Sequence, residues 1–264
     1  MSFSIIIPVL NQWAYTEQCL QHLRETVLSQ AEVIVIDNGS SDATGQKLNA
    51  FPEVRVISNL SNVGCARAWN QGIENSPRAQ WRIFLNNDVL LSPNWLSGLL
   101  DAAEEHGFDI VSPAMREGPL NYNFHERALF VTKKMRGFIR PMMPHGLCFA
   151  VRRSVFEAIG TFDENFRVGQ FEDTDFFRRA RNFGFSSATT GASFIHHFSS
   201  ITQKALKRTP IGSYESENRK YFRKKWNLYW LKRKFEKFND TRLLDSYVTH
   251  ERKNTGSQLI DRSI

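Results

Sequence analysis

The amino-acid sequence predicts an α/β fold: a mostly parallel sheet flanked by helices, followed by a basic helical extension. Three observations carry this expectation. Short β-branched runs alternate with stretches of helical period through the first half of the chain. Three of those runs end in polar clusters. The excess of positive charge sits in one segment near the C-terminal end.

The elements follow in order. Residues 3–7 form the first apolar run, closed by Pro8 and Asn11. Residues 15–29 place Cys19, Leu20, Leu23 and Val27 at helical spacing. Residues 33–36 read as a buried strand ending at Asp37-Asn38-Gly39-Ser40, after which Ser41 or Asp42 can cap a second helix. Residues 54–57 give a third strand, 63–74 a third helix, and 81–85 a fourth strand closing at Asn86-Asn87-Asp88. Such a βαβαβαβ order implies parallel strands with helices on both faces. Ligands of these sheets bind beyond the carboxyl ends of the strands. Asn11, residues 37–42 and residues 86–88 should therefore converge on one cleft. The second half is less regular: a helix over 93–105, part of a strand at 110–111, a basic and aromatic loop over 115–144, strand character at 145–151, and helices over 154–159 and 172–183.

Hydrophobic residues at 41% and charged residues at 23% describe a globular chain and exclude a disordered or fibrous one. No apolar stretch reaches the roughly eighteen residues of a membrane-spanning helix. Residues 1–5 lack the basic leader and cleavage site of a secretory signal, so a cytoplasmic location is expected. Cys19, Cys65 and Cys148 are far apart and odd in number, which suits reduced structural residues. The net charge of +7 is uneven: residues 1–203 hold 18 Lys and Arg against 20 Asp and Glu, whereas residues 204–237 hold 12 against 3. A near-neutral domain over 1–203 thus carries a basic extension over 204–264 that acts as a local adhesive patch.

Four places can carry chemistry. Asp37 ends a buried strand, and its carboxylate can accept from a base N–H or a ribose hydroxyl while Gly39 lets backbone come close. The same residues would also serve a plain turn and helix cap. Asp88 ends another strand, and hard divalent cations commonly bridge such a carboxylate to substrate phosphates. Glu172, Asp173 and Asp175 crowd a helix start, where the dipole favours acids. Phe171, Phe176 and Phe177 around them must bury, and a carboxylate among such rings is desolvated as a general base should be. His196 and His197 offer imidazole ligands or a structural pair.

Taken in order, these stretches resemble the family 2 glycosyltransferases, which share the GT-A fold. They are Ser4-Ile5-Ile6-Ile7-Pro8-Val9-Leu10-Asn11; residues 33–42; Asn62-Val63-Gly64 with Arg67, Asn70 and Gly72; residues 84–89; residues 160–166; and Glu172-Asp173-Thr174-Asp175. The resemblance covers residues 3–200. It implies an inverting, metal-dependent transferase that moves a sugar from a UDP- or dTDP-type donor to a glycan or lipid-linked acceptor in surface polysaccharide synthesis. Position by position, Pro8, Asn11, Asp37, Asn38 and Ser40 would shape the nucleotide pocket, and Asn62, Gly64 and Arg67 would line the donor site. Asn86-Asn87-Asp88 falls where the family has its DxD motif, so Asp88 would hold Mn²⁺ or Mg²⁺, with His196 completing the metal site. Asp173 would be the catalytic base, and His145, Gly146 and Glu172 would face the acceptor. Two positions depart from the pattern. Asn86 replaces the first DxD carboxylate, which leaves Asp88 more responsible for the metal, and Asn38 replaces an acid common in related enzymes.

In the extension, residues 214–238 interleave Tyr221, Phe222, Trp226, Tyr229, Trp230 and Phe235 with Lys and Arg. Such a helix suits an anionic membrane surface, on the inner face of the membrane for a cytoplasmic enzyme, or packing on the domain with a solvated basic face. No nucleic-acid module is visible, so no nucleic-acid partner is expected. A sugar nucleotidyltransferase would share the α/β plan but usually shows a Gly-rich basic loop after the first strand, which Pro8-Val9-Leu10-Asn11 is not. No GxGxxG follows that strand either, against a dinucleotide oxidoreductase. A catalytically degenerate sugar-nucleotide-binding scaffold is the non-enzymatic alternative.

Overall fold

Side-chain alternation in β1 (Phe3–Val9) supplies both cores: Ile5, Ile7 and Val9 join one apolar cluster and Ile6 the other. Cys19, Leu20 and Leu23 of α1 (Trp13–Thr26) and Trp95, Leu96, Leu99 and Ala103 of α4 (Trp95–His106) complete the first cluster. Ala66, Ala68 and Trp69 of α3 (Cys65–Glu74), Val155 and Phe156 of α6 (Arg153–Ile159), and Phe176 and Ala180 of α7 (Glu172–Phe183) complete the second. Helices therefore cover both faces of the sheet, as the sequence predicts. The computed structural model describes residues 2–27, 31–199, 201–202 and 214–262. The end of the helix expected over 15–29 lies outside the described residues.

The strands β1, β2 (Glu32–Asp37), β3 (Arg55–Ser58) and β4 (Trp81–Leu85) are parallel, in the order β3-β2-β1-β4. The register sets Val9 beside Asp37 and Asp37 beside Ser58, so the carboxyl ends of these strands share one edge. The second half is mixed. It contains β5 (Val89–Leu91), β6 (Ile110–Glu117), β7 (Ile139–Pro141), β8 (Cys148–Arg152) and β9 (Ser187–His197). β8 runs antiparallel between β4 and β6, β9 lies parallel to β6, and β5 pairs antiparallel with β9.

Three stretches differ from expectation. The second helix is a single turn, α2 (Thr44–Lys47), with the Asp42 carboxylate accepting from the Thr44 N–H at 2.9 Å. The loop expected over 115–144 contains α5 (Phe124–Lys134) and β7 instead. Asn123 caps α5 by accepting from the Glu126 N–H at 3.2 Å, and Phe124, Ala128 and Val131 bury at i, i+4 and i+7. The helix expected across 214–238 is two, α8 (Tyr214–Lys225) and α9 (Trp230–Thr255). Residues 204–213 of the extension lie outside the described residues.

The chain then returns to the body. β10 (Ile260–Asp261) pairs parallel with β6, and Leu259 is fully buried. Behind it, Arg140 and Glu251 form a bidentate pair with both bonds at 2.6 Å, each residue nearly inaccessible. Removing one partner of such a buried pair costs about 3–5 kcal/mol. Among the described residues no helix is long and apolar enough to cross a membrane.

Candidate functional site

Two clefts open along the carboxyl edge of the sheet and share a wall. The first, of about 390 Å³, is lined by Pro8, Asn38 and Asn62, by Asn86, Asn87 and Asp88, and by Cys65, Trp69, Glu172 and Tyr214. The second, of about 860 Å³, is lined by Tyr15, Glu117, His145, Phe198 and Arg262. Gly146, Leu147, Asp173, Thr174 and His197 belong to both.

Asp173 stands in that shared wall, in the first turn of α7. Its Oδ1 accepts from the Thr174 N–H at 2.6 Å, and burial raises its pKa. Gly146 makes room for it: a Cβ there would lie 2.0 Å from Asp173 Oδ2. Glu172 is buried, and burial together with the Asp173 charge pushes its pKa up to about 8. The backbone leading into this pair is strained, with Val168, Gln170 and Phe171 all at φ between 63° and 76°.

The two histidines expected near Asp88 lie in different surroundings. Successive residues of β9 face opposite ways, so His196 and His197 part company. His196 meets Tyr122, whose hydroxyl lies 2.9 Å from its Nδ1, and lines neither cleft. His197 sits opposite Val89 in the β5–β9 ladder, and its Nε2 comes 3.3 Å from Asp88 Oδ1. Of the two histidines it is His197, not the expected His196, that faces Asp88. Both ring nitrogens of His197 are buried and face carboxylates, with Nδ1 at 3.5 Å from Glu117 Oε1, at longer range than a well-formed hydrogen bond. Burial lowers the affinity of His197 for a proton, but Asp88 and Glu117 outweigh it and carry the pKa to about 9. Asp88 Oδ2 accepts from the Ile201 N–H at 3.3 Å, which leaves Oδ1 turned to the histidine. Two cis ligands of one octahedral cation stand about 3 Å apart, so His197 Nε2 and Asp88 Oδ1 have the spacing to share a Mn²⁺ or Mg²⁺ once the ion displaces the proton that the ring holds between Asp88 and Glu117; among the described residues no group of three His, Cys, Asp or Glu surrounds that position.

Several other expected site residues turn out to build the loops. Asn38 donates from Nδ2 to Asn62 Oδ1 at 2.9 Å and accepts through Oδ1 from Asn59 Nδ2 and the Val63 N–H, both at 3.1 Å. An aspartate could not donate the first of these bonds, which accounts for the amide at this position. Asn11 Oδ1 accepts from the Ser41 and Asp42 N–H groups, and Ser40 Oγ accepts from the Asn11 N–H at 2.8 Å. Asp37 Oδ1 accepts from the Ser40 N–H at 3.0 Å. Asn11, Asp37 and Ser40 thus lock two strand-end loops together beside the cleft without lining it. Gly64 (φ 90°) starts α3 against Val168, and Arg67 turns outward to Glu74 and Glu164 at 2.7 and 3.3 Å. Neither lines the cleft, so the donor-lining reading of these two is not supported by their placement.

Of the three acceptor candidates, His145 and Gly146 line the second cleft, whereas Glu172 lines only the first. His145 Nε2 lies 2.8 Å from the Pro113 carbonyl and donates to it; burial pushes its pKa down to about 4, so the ring is neutral and Nδ1 carries a free lone pair. Glu117, Trp69 and Tyr214 carry no site signal in the sequence. His197 has one, as the second member of the histidine pair.

The sequence profile of glycosyl transferase family 2 matches residues 4–160. Glycosyltransferase GlyG of Streptococcus pneumoniae is 27% identical over 112 residues, which cover 41% of this chain and 37% of that protein. The N-acetylglucosaminyl-diphospho-decaprenol L-rhamnosyltransferase of Mycobacterium tuberculosis is 25% identical over 221 residues, covering 69% of this chain and 72% of that one. Among solved structures, GalNAc-T7 with UDP, GalNAc and Mn²⁺ superposes with a TM-score of 0.61 at 16% identity, covering 75% of this chain and 44% of that one. The structural likeness is one of fold, the GT-A arrangement.

Proposed function

The chain belongs to glycosyl transferase family 2, and from that membership and the two clefts we propose that it transfers a sugar from a nucleoside-diphosphate donor to a hydroxyl of a glycan or lipid-linked acceptor, with inversion. The observation that carries this reading is the position of Asp173. It belongs to the first cleft, with Asp88 and His197, and also to the second, with His145 and Glu117.

A sugar hydroxyl is a poor nucleophile until a positioned base takes its proton. Asp173, with its raised pKa and its Oδ2 set against Gly146, is placed to take that proton from an acceptor in the second cleft. Asn38 and Asn62 hold the strand-end loops over which the nucleotide lies, and Pro8 lines the same space. Asp88 and His197 would hold the divalent cation, which when bound neutralises the charge of the leaving diphosphate. One base on one side of the anomeric carbon gives a single displacement, and no covalent enzyme intermediate is required.

The basic extension adds a second partner to this proposal. Tyr229, Trp230, Phe235 and Phe238 are all more than half exposed, beside the exposed Lys232, Arg233 and Lys234. Aromatic rings next to cations match the interface of an anionic membrane, where a lipid-linked acceptor would reside.

The direct test is calorimetric titration of UDP, dTDP, GDP and CDP with and without Mn²⁺. Binding of one of them that strengthens with Mn²⁺ supports the donor site. Absence of binding to all four, with or without the metal, would end this reading, whereas binding without any transfer would favour the scaffold.

A further inference from the structure

Three side chains of the first cleft each hold a buried polar atom with no hydrogen-bond partner among the described residues: Trp69 Nε1, Glu172 Oε2 and the Tyr214 hydroxyl. The residues are 2%, 5% and 2% exposed. Buried polar groups in folded proteins are nearly always paired, and three unpaired ones in a single cleft point to a ligand that pairs them. They come from α3, α7 and α8, three elements far apart in sequence. Cys65, one turn before Trp69 on the same face of α3, hydrogen-bonds Glu172, and Tyr214 lies within the electrostatic reach of Glu172.

The position of α8 is fixed from the site itself. Asn218, 1% exposed, donates from Nδ2 to the carbonyls of Arg167, Gly169 and Gln170 at 2.9, 2.8 and 3.1 Å, and its Oδ1 accepts from the Arg167 N–H at 3.0 Å. One amide thereby ties α8 to the strained segment that delivers Glu172 and Asp173. Lys225 and the Trp226 indole reach Asp175 of α7, both at 2.9 Å.

We propose that Trp69, Glu172 and Tyr214 form a subsite that hydrogen-bonds the hydroxyl groups of the transferred sugar ring, so that α8 takes part in choosing the donor sugar. The inference rests on the donor-site reading of the first cleft. An indole N–H can only donate, a phenol donates and accepts, and a carboxyl group accepts and, when protonated, also donates. A ring of hydroxyls, each both donor and acceptor, complements that set. An ionised diphosphate offers acceptors only and would leave an accepting carboxyl oxygen of Glu172 unpaired. None of the three residues lines the second cleft, which separates this role from acceptor binding. Glu172 and Tyr214 also lie beyond residues 4–160, the part matched by the family profile.

The test uses the full chain with Mn²⁺ and two nearly isosteric variants, Tyr214→Phe and Glu172→Gln, each checked by thermal melting. Calorimetry compares the nucleoside diphosphate that wild type binds with its common sugar esters: UDP with UDP-glucose, UDP-galactose and UDP-N-acetylglucosamine, dTDP with dTDP-rhamnose, or GDP with GDP-mannose. Affinity for the free diphosphate should stay within about twofold. Affinity for the preferred sugar nucleotide should fall about 5- to 10-fold in each variant, the value of one hydrogen bond. Unchanged sugar-nucleotide affinity in both variants would overturn the subsite while leaving the donor site standing. Equal losses for the diphosphate and its sugar ester would overturn it too, by making the residues structural. A wild type that binds no nucleotide would overturn both readings.

Discussion

Substituting Gly146 by alanine tests the site without touching any group proposed to react. Gly146 does not occupy the left-handed region, so its backbone accepts an alanine and the effect reduces to a steric one. The new Cβ would lie 2.0 Å from Asp173 Oδ2, 2.6 Å from its Cγ and 2.8 Å from its Cβ, where ordinary contact begins at 3.4 Å. One partner must move by about 1.4 Å, and the short Asp173 side chain cannot evade the clash by rotation alone, because its Cβ is also too close. A misplacement of about 1 Å at a reacting group can cost about 100-fold in rate, equivalent to about 2.7 kcal/mol of barrier. Gly146→Ala should therefore lower kcat by about 100-fold or more while nucleotide affinity stays near wild type, measured by acceptor-dependent release of nucleoside diphosphate. In an Asp173→Asn background the same substitution should cost almost nothing further, since both changes act through one group. A Gly146→Ala enzyme with wild-type kcat, or two losses that simply add, would refute the placement of Asp173 as base.

His197→Ala should abolish the strengthening of nucleotide binding by Mn²⁺, whereas His196→Asn, on the other face of β9, should retain it; titration with and without the metal decides, and the opposite pattern restores His196. Glu172 has a folded-state pKa of about 8 against an ordinary 4.5, so the folded protein binds the extra proton and stability should fall as pH rises from about 4.5 to about 8. Urea unfolding across that range should show a flatter profile in Glu172→Gln, and an unaltered slope would place the effect elsewhere. Replacing Trp230, Phe235 and Phe238 together by serine should release the protein from vesicles containing phosphatidylglycerol; undiminished sedimentation with the vesicles would return α9 to a purely structural role.

The parallel half of the fold was legible because its strands are short β-branched runs that end in polar residues, a pattern that local sequence fully encodes. The helix over Glu172–Phe183 was equally plain. What escaped depended on partners distant in sequence. Basic and aromatic residues mask the apolar stripe of α5 in the sequence, although Asn123, Glu126 and the spacing of Phe124, Ala128 and Val131 encode it. β10 is two residues long and exists through its ladder with β6 and the burial of Leu259. The choice between His196 and His197 turns on strand register: a shift of one residue exchanges the faces of a strand, and only the pairing of His197 with Val89 fixes which imidazole meets Asp88. Arg67 sits among the resembling motifs, yet two exposed carboxylates draw it away from the cleft. Tyr214 has no local signal at all; it reaches the cleft because Asn218 fastens α8 to the 167–170 segment.

The most direct test of the account is the Asp173→Asn variant, studied with the nucleotide sugar that the wild-type protein binds. Donor affinity should stay within a few-fold of wild type and transfer should fall by at least about 100-fold, as expected when a general base is removed. Transfer at the wild-type rate with donor bound would contradict the account, because no base would then stand between the two clefts.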